Sequence, residues 1–278
     1  MLLFRRILKF RDGSDTQQEL RTVPRYAVGP GFPARCKLGA VGRDEHGQEV
    51  AGGRMRDWGC RLIDVSTTGC RIAMNSGLIV KRGDAVRLDV ALGGRQLVFP
   101  CRVAHYRWGS EHSVCGLSLD LKGADAPRAY LQMIESIAIG ATLRPDLKTK
   151  QLPEAPGLKA EHFVAHPIGS LLVWHKRDDF QPVYFDLELR EHFLRGARTG
   201  AVEILPKSAA ATGSVTPVQR AEILEHFGWV LPHLGNEVPP DVRELLAIVA
   251  KAQVFVRISA RASGSASLPE NSGNLSSS

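Results

Sequence analysis

Within the first 125 residues, apolar and polar residues alternate over several short segments, which is the pattern of β-strands with one buried face. The alternation is regular in residues 32–41, 86–92 and 113–121. Gly93 and Gly94 follow the second of these segments and predict a hairpin turn. Short strands joined by frequent turns are typical of a small antiparallel barrel or sandwich. We predict six strands, over residues 32–41, 58–65, 70–74, 86–92, 96–108 and 113–121.

Beyond residue 125 the spacing of the apolar residues changes to that of a helix. Tyr130, Ile134 and Ile137 fall on one face of a helix predicted over residues 126–138. We expect this helix to cover one end of the barrel. Three prolines lie among the charged residues 143–158 and are incompatible with a helix or a central strand, so we predict a domain boundary there.

The C-terminal half mixes both kinds of pattern and predicts an α+β domain. Strand-like apolar runs occupy residues 170–174, 183–187 and 252–258, and helical patterns occupy residues 217–227 and 239–250. The tail is rich in Ser, Gly and Asn without aromatic residues, which predicts disorder. The predicted organisation is a basic segment (1–18), the barrel (19–142), a linker (143–158), an α+β domain of unknown function (159–262) and a disordered tail (263–278).

The positive charge of the chain is concentrated in its N-terminal part. Residues 1–125 contain 20 basic and 13 acidic side chains, a net charge of +7, whereas residues 126–278 contain 16 of each. Such a charge attracts a nucleotide, a nucleic acid or an acidic surface. The overall composition, 44% hydrophobic and 23% charged, excludes a collagen-like repeat, a disulfide scaffold and a wholly disordered chain.

Cysteine usage and apolar runs bear on the compartment. The five cysteines form no CxxC pair, and their odd number favours reduced thiols in a cytoplasmic protein. Arginine and lysine interrupt the first ten residues, which therefore lack the apolar core of a signal peptide. No apolar run approaches the length of about 18 residues that a membrane span requires, so we expect no transmembrane segment.

Two short motifs accompany the first predicted strands. Arg21 and Arg25 form an RxxxR motif before the first strand, and Asp64, Ser66 and Gly69 form a DxSxxG motif after the second. In this order and with this succession of strands, they resemble the PilZ domain family. The resemblance implies a six-stranded antiparallel barrel with a closing helix that binds the bacterial second messenger cyclic di-GMP.

The resemblance extends over about residues 19–139. It departs from the family in the spacing of the motifs, because the charged, glycine-rich residues 42–53 predict a long loop between the first two strands. In PilZ domains, an additional arginine directly before the first motif arginine tends to accompany two stacked ligand molecules. Leu20 stands at that position, so the resemblance implies one ligand molecule per barrel.

The chemistry of cyclic di-GMP suits these residue types. The planar guanidinium groups of Arg21 and Arg25 can grip the O6 and N7 acceptors of guanine or stack on the base. Asp64 can accept hydrogen bonds from the guanine N1 and exocyclic amine, and Ser66 adds a hydroxyl near phosphate or sugar. Gly69 permits a positive φ and a close backbone approach. We expect Asp64 in an exposed loop and the two arginines on an adaptable arm. The simpler alternative is a solvated arm beside an ordinary capped turn.

Two patterns in the C-terminal half suggest chemistry less specifically. His162 and His166 have the spacing of helical metal ligands, but the proline after His166 disfavours a helix, and we expect no metal or cofactor. Ser170, His175 and Asp178 contain the residue types of a hydrolase, but the serine lacks a GxSxG elbow. We therefore predict that the chain is not an enzyme.

These observations predict a cytoplasmic bacterial receptor. Binding of cyclic di-GMP orders the arm, and the C-terminal domain or an unknown protein partner reads the change. Three alternatives remain: a barrel without ligand binding that serves as an interaction module, an enzyme with its site in the C-terminal domain, and non-specific nucleic-acid binding through the positive half. We expect no specific nucleic-acid partner.

Overall fold

The structure, a computed structural model, describes residues 23–41, 55–75, 78–122, 125–148, 152–207 and 215–264, with side chains of the last segment up to residue 253. The predicted basic segment, the predicted loop of residues 42–53 and the tail beyond residue 264 lie outside the described residues.

The N-terminal half is a closed antiparallel barrel, which confirms the predicted architecture. Its strands are β1 (Tyr26–Ala27), β2 (Arg35–Val41), β3 (Met55–Ser66), β4 (Gly69–Asn75), β5 (Ala85–Leu92), β6 (Arg95–Arg107) and β7 (His112–Leu119). Six of them follow one another in the order β3-β2-β5-β6-β7-β4, and pairing of β3 with β4 closes the barrel. The short β1 is an additional strand on β3.

Alternation of apolar and polar residues explains the barrel core. In β2, Cys36, Leu38 and Ala40 are buried, while the intervening polar residues Arg35 and Lys37 are exposed. The strand begins three residues later than the sequence predicts, because the chain before it leaves the barrel wall to contact the C-terminal half.

The helix α1 (Asp125–Thr142) closes one end of the barrel and is longer than predicted by about one turn. Tyr130, Met133 and Ile134 on this helix are fully buried in the barrel core. Ile139, near its end, and the following Leu143 belong instead to a second hydrophobic core. One helix therefore contributes to the cores of both halves.

The C-terminal half is an α+β unit, as predicted. An antiparallel meander consists of β8 (Arg144–Pro145), β9 (Leu158–Ala165), β10 (Gly169–Lys176), β11 (Pro182–Leu189), β12 (His192–Ala197) and β13 (Val202–Pro206). Helix α2 (Pro217–Val230), a 3₁₀ turn (Leu231–His233) and helix α3 (Pro240–Gly264) follow, and the two α-helices pack against this sheet.

One predicted strand of this half is wrong, because residues 252–258 lie within α3. The helix is already established upstream, where Val242, Leu245, Leu246 and Val249 are buried with the i, i+3, i+4, i+7 spacing of a helix face. Extending a formed helix adds a hydrogen bond for each residue fixed, so it overrides the strand propensity of a short apolar run. No helix among the described residues is long and apolar enough to cross a membrane.

The two halves are in direct contact. Phe32 packs edge-on against Trp229 and His233, with ring centroids 6.4 and 5.2 Å apart. The backbone at Gly29 approaches the carbonyl of Pro232 so closely that a Cβ would clash. The segment between β1 and β2 therefore packs against the end of α2 and the 3₁₀ turn that follows it.

Candidate functional site

Three charged residues of the barrel form one cluster. The Asp64 carboxylate accepts a hydrogen bond from Nη1 of Arg25, 3.0 Å from Oδ1, and pairs through Oδ2 with Nη2 of Arg71, on β4. Only 6% of Asp64 is exposed, whereas the two arginine side chains are 34% and 43% exposed. A buried carboxylate thus holds two cations at the protein surface.

The prediction that Asp64 lies in an exposed loop is wrong. The residue is the third from last in β3, where it lies opposite Ala27 on one side and Arg71 on the other. Pairing with β1 on one side and with β4 on the other places Asp64 inside the sheet, and Arg25 and Arg71 contact its carboxylate. Local sequence contains no signal for this pairing, since β1 is only two residues long.

The turn of the DxSxxG motif is anchored to α1. The hydroxyl of Ser66, a residue only 1% exposed, donates to the carbonyl of Gly69 at 3.0 Å. The hydroxyl of the fully buried Tyr130 lies 3.2 Å from the Ser66 carbonyl and 3.1 Å from the Gly69 carbonyl. Ser66 therefore shapes the turn internally, whereas the sequence predicted its hydroxyl beside a phosphate or sugar.

Gly69 is required for close approach and not for a positive φ. It is the first residue of β4 and is not among the glycines with positive φ in the described residues. A Cβ at this position would collide with the carbonyl oxygen of Leu117 on β7. Half of the prediction for this glycine, the close backbone approach, is thus confirmed.

Arg21 lies outside the described residues, so its placement stays a prediction. Arg25 is described, and the chain after it is better anchored than an adaptable arm: Tyr26 and Val28 pack against the barrel core, and the amide of Val28 donates to the Ile63 carbonyl at 2.8 Å. The prediction of an adaptable arm is therefore wrong for the residues from Tyr26 to Val28.

Arg71 is a member of the cluster that the two motifs do not include. It directly follows the Gly-Cys pair of β4, and its position is visible only once β4 is paired with β3. Its Nε and the Oγ1 of Thr67 are buried without a hydrogen-bond partner in the described part of the chain. Buried polar atoms of this kind are uncommon and mark places where a ligand or water completes the hydrogen bonding.

The cysteines of the barrel are not candidate nucleophiles. All five are free thiols; four are buried and Cys60 is half-buried. Burial raises the pKa of Cys36, Cys101 and Cys115 to about 12 and raises those of Cys60 and Cys70 further. At neutral pH they are unreactive core residues.

A cavity of about 410 Å³ lies on the sheet face of the C-terminal half, and it is the place where an enzyme site of that half would be sought. Its polar groups are already paired. His162 Nδ1 lies 3.1 Å from a carboxylate oxygen of Asp146, and Arg195 binds Asp186 through two hydrogen bonds. The walls are otherwise mostly apolar, formed by Leu152, Pro153, Leu172, Phe193 and Leu205.

The weaker residue sets of this half do not assemble into sites. His162 belongs to β9, so the helical spacing to His166 does not apply. Ser170 donates to Glu188 at 2.7 Å, whereas His175 Nδ1 bonds the Phe180 carbonyl. Among the described residues, no three His, Cys, Asp or Glu side chains form a group suited to a metal.

Comparison with known families agrees with the barrel. The family model of the PilZ domain matches residues 19–134, which include both motifs, the six barrel strands and the first part of α1. This family consists in general of cyclic di-GMP receptors. No curated protein matches the chain.

Proposed function

We propose that the chain is a cyclic di-GMP receptor in which Arg21, Arg25, Asp64 and Arg71 bind the ligand on the outer face of the barrel. Ser66 and Gly69 shape the turn beneath them. The observation that carries the proposal is the surface cluster around Asp64, in which the second motif arginine and a third arginine meet on a buried carboxylate. The residues act by binding alone, without covalent chemistry.

The cluster offers the groups that a guanine nucleotide requires. Two partly exposed guanidinium groups match phosphate oxygens or the O6 and N7 edge of guanine. The carboxylate matches the donors at N1 and N2 of the same base. Arg25 and Arg71 each pair with Asp64 through one terminal nitrogen, so both guanidinium groups keep further N–H donors for a ligand.

The ion pairs within the cluster also support a second candidate function. Because Arg25 and Arg71 already share the carboxylate of Asp64, the cluster is stable without a ligand, and the barrel would then serve as an interaction module that has lost nucleotide binding. Titration distinguishes the two functions, because an interaction module does not release or absorb heat with the nucleotide.

Two connections lead from the cluster to the C-terminal half. The first follows the chain: Arg25 precedes β1, and the next segment carries Phe32 onto Trp229. The second passes through α1, where Tyr130 holds the motif turn and Gln132 donates to Glu222 of α2 at 3.1 Å. We propose that α2 receives the change through these contacts, because Phe32 and α1 both contact α2 and both are connected to the region of the cluster.

Isothermal titration calorimetry with cyclic di-GMP tests the binding proposal. We expect Arg25→Ala and Arg71→Ala to weaken the affinity at least tenfold, because each removes a charge-assisted contact. Arg87→Ala is the matched control, since Arg87 is likewise an ion-paired arginine of the barrel surface but pairs with Asp57 and Asp89. A ratio of one ligand per chain is expected from Leu20. Absence of heat with the unmodified protein would leave the interaction module as the function.

Hydrogen exchange tests transmission. Saturating cyclic di-GMP should change the protection of the amides in α2 and the 3₁₀ turn, residues 217–233, in the unmodified protein. In Phe32→Ala, binding should persist while this remote change decreases, because one of the two connections is removed. A remote change of equal size in the variant would exclude the route through Phe32.

A further inference from the structure

The barrel contains two β-bulges that open onto the same row of residues. In β3 the register shifts between Leu62 and Asp64, and in β6 it shifts between Val103 and His105. Leu62 and Val103 face the core, being 3% and 1% exposed. Without a bulge, the residue two positions later would face the core too. The extra residue reverses this, so that Asp64 and His105 both stand on the outer face.

These two residues are the ends of one continuous row across four strands. Asp64 of β3 lies opposite Arg71 of β4. Arg71 lies opposite Gly116 of β7, which in turn lies opposite His105 of β6. Three inter-strand spacings of about 4.8 Å give the row a length of about 14 Å. The cluster around Asp64 is therefore one end of a longer surface.

Gly116 makes room for the His105 ring. A Cβ on Gly116 would come within 2.7 Å of three atoms of the imidazole, so the ring lies against the glycine backbone. His105 itself is an exposed residue, so part of its side chain is accessible at the barrel surface. An aromatic ring laid against a sheet surface in this way is a stacking platform for a base.

We infer that the ligand site extends along this row and that His105 stacks on the second base of a cyclic dinucleotide whose first base is bound at Arg25, Asp64 and Arg71. The inference rests on the proposed function. A dinucleotide carries two bases and can reach both ends of the row, whereas a mononucleotide reaches one. His105 is thus a residue that selects dinucleotides over mononucleotides.

Calorimetry with cyclic di-GMP on His105 variants of the full chain tests the inference. His105→Ala should weaken the affinity about fivefold or more, because stacking of a base on an aromatic side chain is removed. His105→Tyr should restore most of it, since the ring is retained. Gly116→Ala, which displaces the ring, should resemble His105→Ala. His112→Ala is the matched control, because His112 is also exposed on the barrel but lies four residues before Gly116 on β7, outside the row.

The outcomes separate this inference from the proposed function. If the unmodified protein binds and Arg25→Ala weakens binding while His105→Ala does not, the extension of the site is wrong and the receptor function stands. If His105→Tyr binds as poorly as His105→Ala, the stacking role is overturned. If the unmodified protein does not bind cyclic di-GMP, the receptor function fails first. The Tm of His105→Ala should equal that of the unmodified protein, because His105 is exposed.

Discussion

Replacing Asp64 by alanine should destabilise the barrel as well as abolish nucleotide binding. Asp64 is buried beneath two arginines, and its removal leaves Arg25 and Arg71 facing each other without the carboxylate that holds them. A position in an exposed loop would tolerate the same change with little effect on folding. The stability of this variant therefore distinguishes the observed geometry from the one that the sequence predicts.

The magnitude follows from the exposure of the partners. A hydrogen bond to a charged group contributes about 1.5–3 kcal/mol, so two such contacts would be lost. Both arginine side chains are a third or more exposed, at 34% and 43%, and water will solvate them once the carboxylate is gone. Exposed pairs contribute about 1 kcal/mol or less each. We expect a net loss of about 2 kcal/mol in the free energy of unfolding, between these two limits.

Urea unfolding followed by circular dichroism measures this loss, and a thermal scan should show a decrease of about 4–8 °C in Tm. Asp57→Ala is the matched control: Asp57 lies on the same strand and pairs with Arg87 at 3.0 Å, but its side chain is 44% exposed. We expect it to cost less than about 0.5 kcal/mol. The loss of unfolding free energy for Asp64→Asn, which keeps one acceptor oxygen, should lie between the losses for Asp57→Ala and Asp64→Ala. Equal stability of the Asp64 and Asp57 variants would refute the structural role of the buried carboxylate.

Other consequences of the geometry can be measured directly. Tyr130→Phe should lower the free energy of unfolding by about 1 kcal/mol in urea titrations, because the motif turn loses the one hydroxyl donor that the carbonyls of Ser66 and Gly69 share, while Gly69 keeps the hydroxyl of Ser66; no loss would mean that the turn is stable without the tyrosine hydroxyl. Phe32→Ala should cost about 3 kcal/mol, since it empties a buried contact between the halves; a change below about 1 kcal/mol would indicate a loose interface. Burial lowers the pKa of His226 to about 4, so the unfolded chain binds more protons between pH 6.5 and 4, and stability should fall as the pH decreases through this range. His226→Leu should reduce that pH dependence in urea titrations at several pH values. An unchanged slope of the unfolding free energy against pH would show that other groups cause it. At most one thiol, the half-buried Cys60, should react with a thiol reagent before unfolding, because the other four are buried; rapid reaction of more than one thiol in the folded protein would contradict this burial.

Much of the barrel could be predicted from the sequence because its information is local. Alternation of period two identifies half-buried strands wherever one face of a strand meets a core, and glycine pairs identify hairpin turns. Each of the two motifs consists of residues close together in the sequence, so each can be found without knowledge of the fold. Helix α1 was predicted for the same reason, since Tyr130 and Ile134 follow helical spacing.

What the sequence could not indicate depends on pairing between distant segments. Asp64 lies inside the sheet because the two-residue strand β1 pairs beside it, and its carboxylate binds Arg25, which is 39 positions away in the sequence. Arg71 and His105 reach the same surface through strand register and two bulges, which shift side chains from one face to the other without any local signal. The apolar run at residues 252–258 has strand propensity, yet it joins a helix because α3 is already packed upstream. Short-range patterns specify which elements form, whereas burial and proximity arise only when the elements pack against one another.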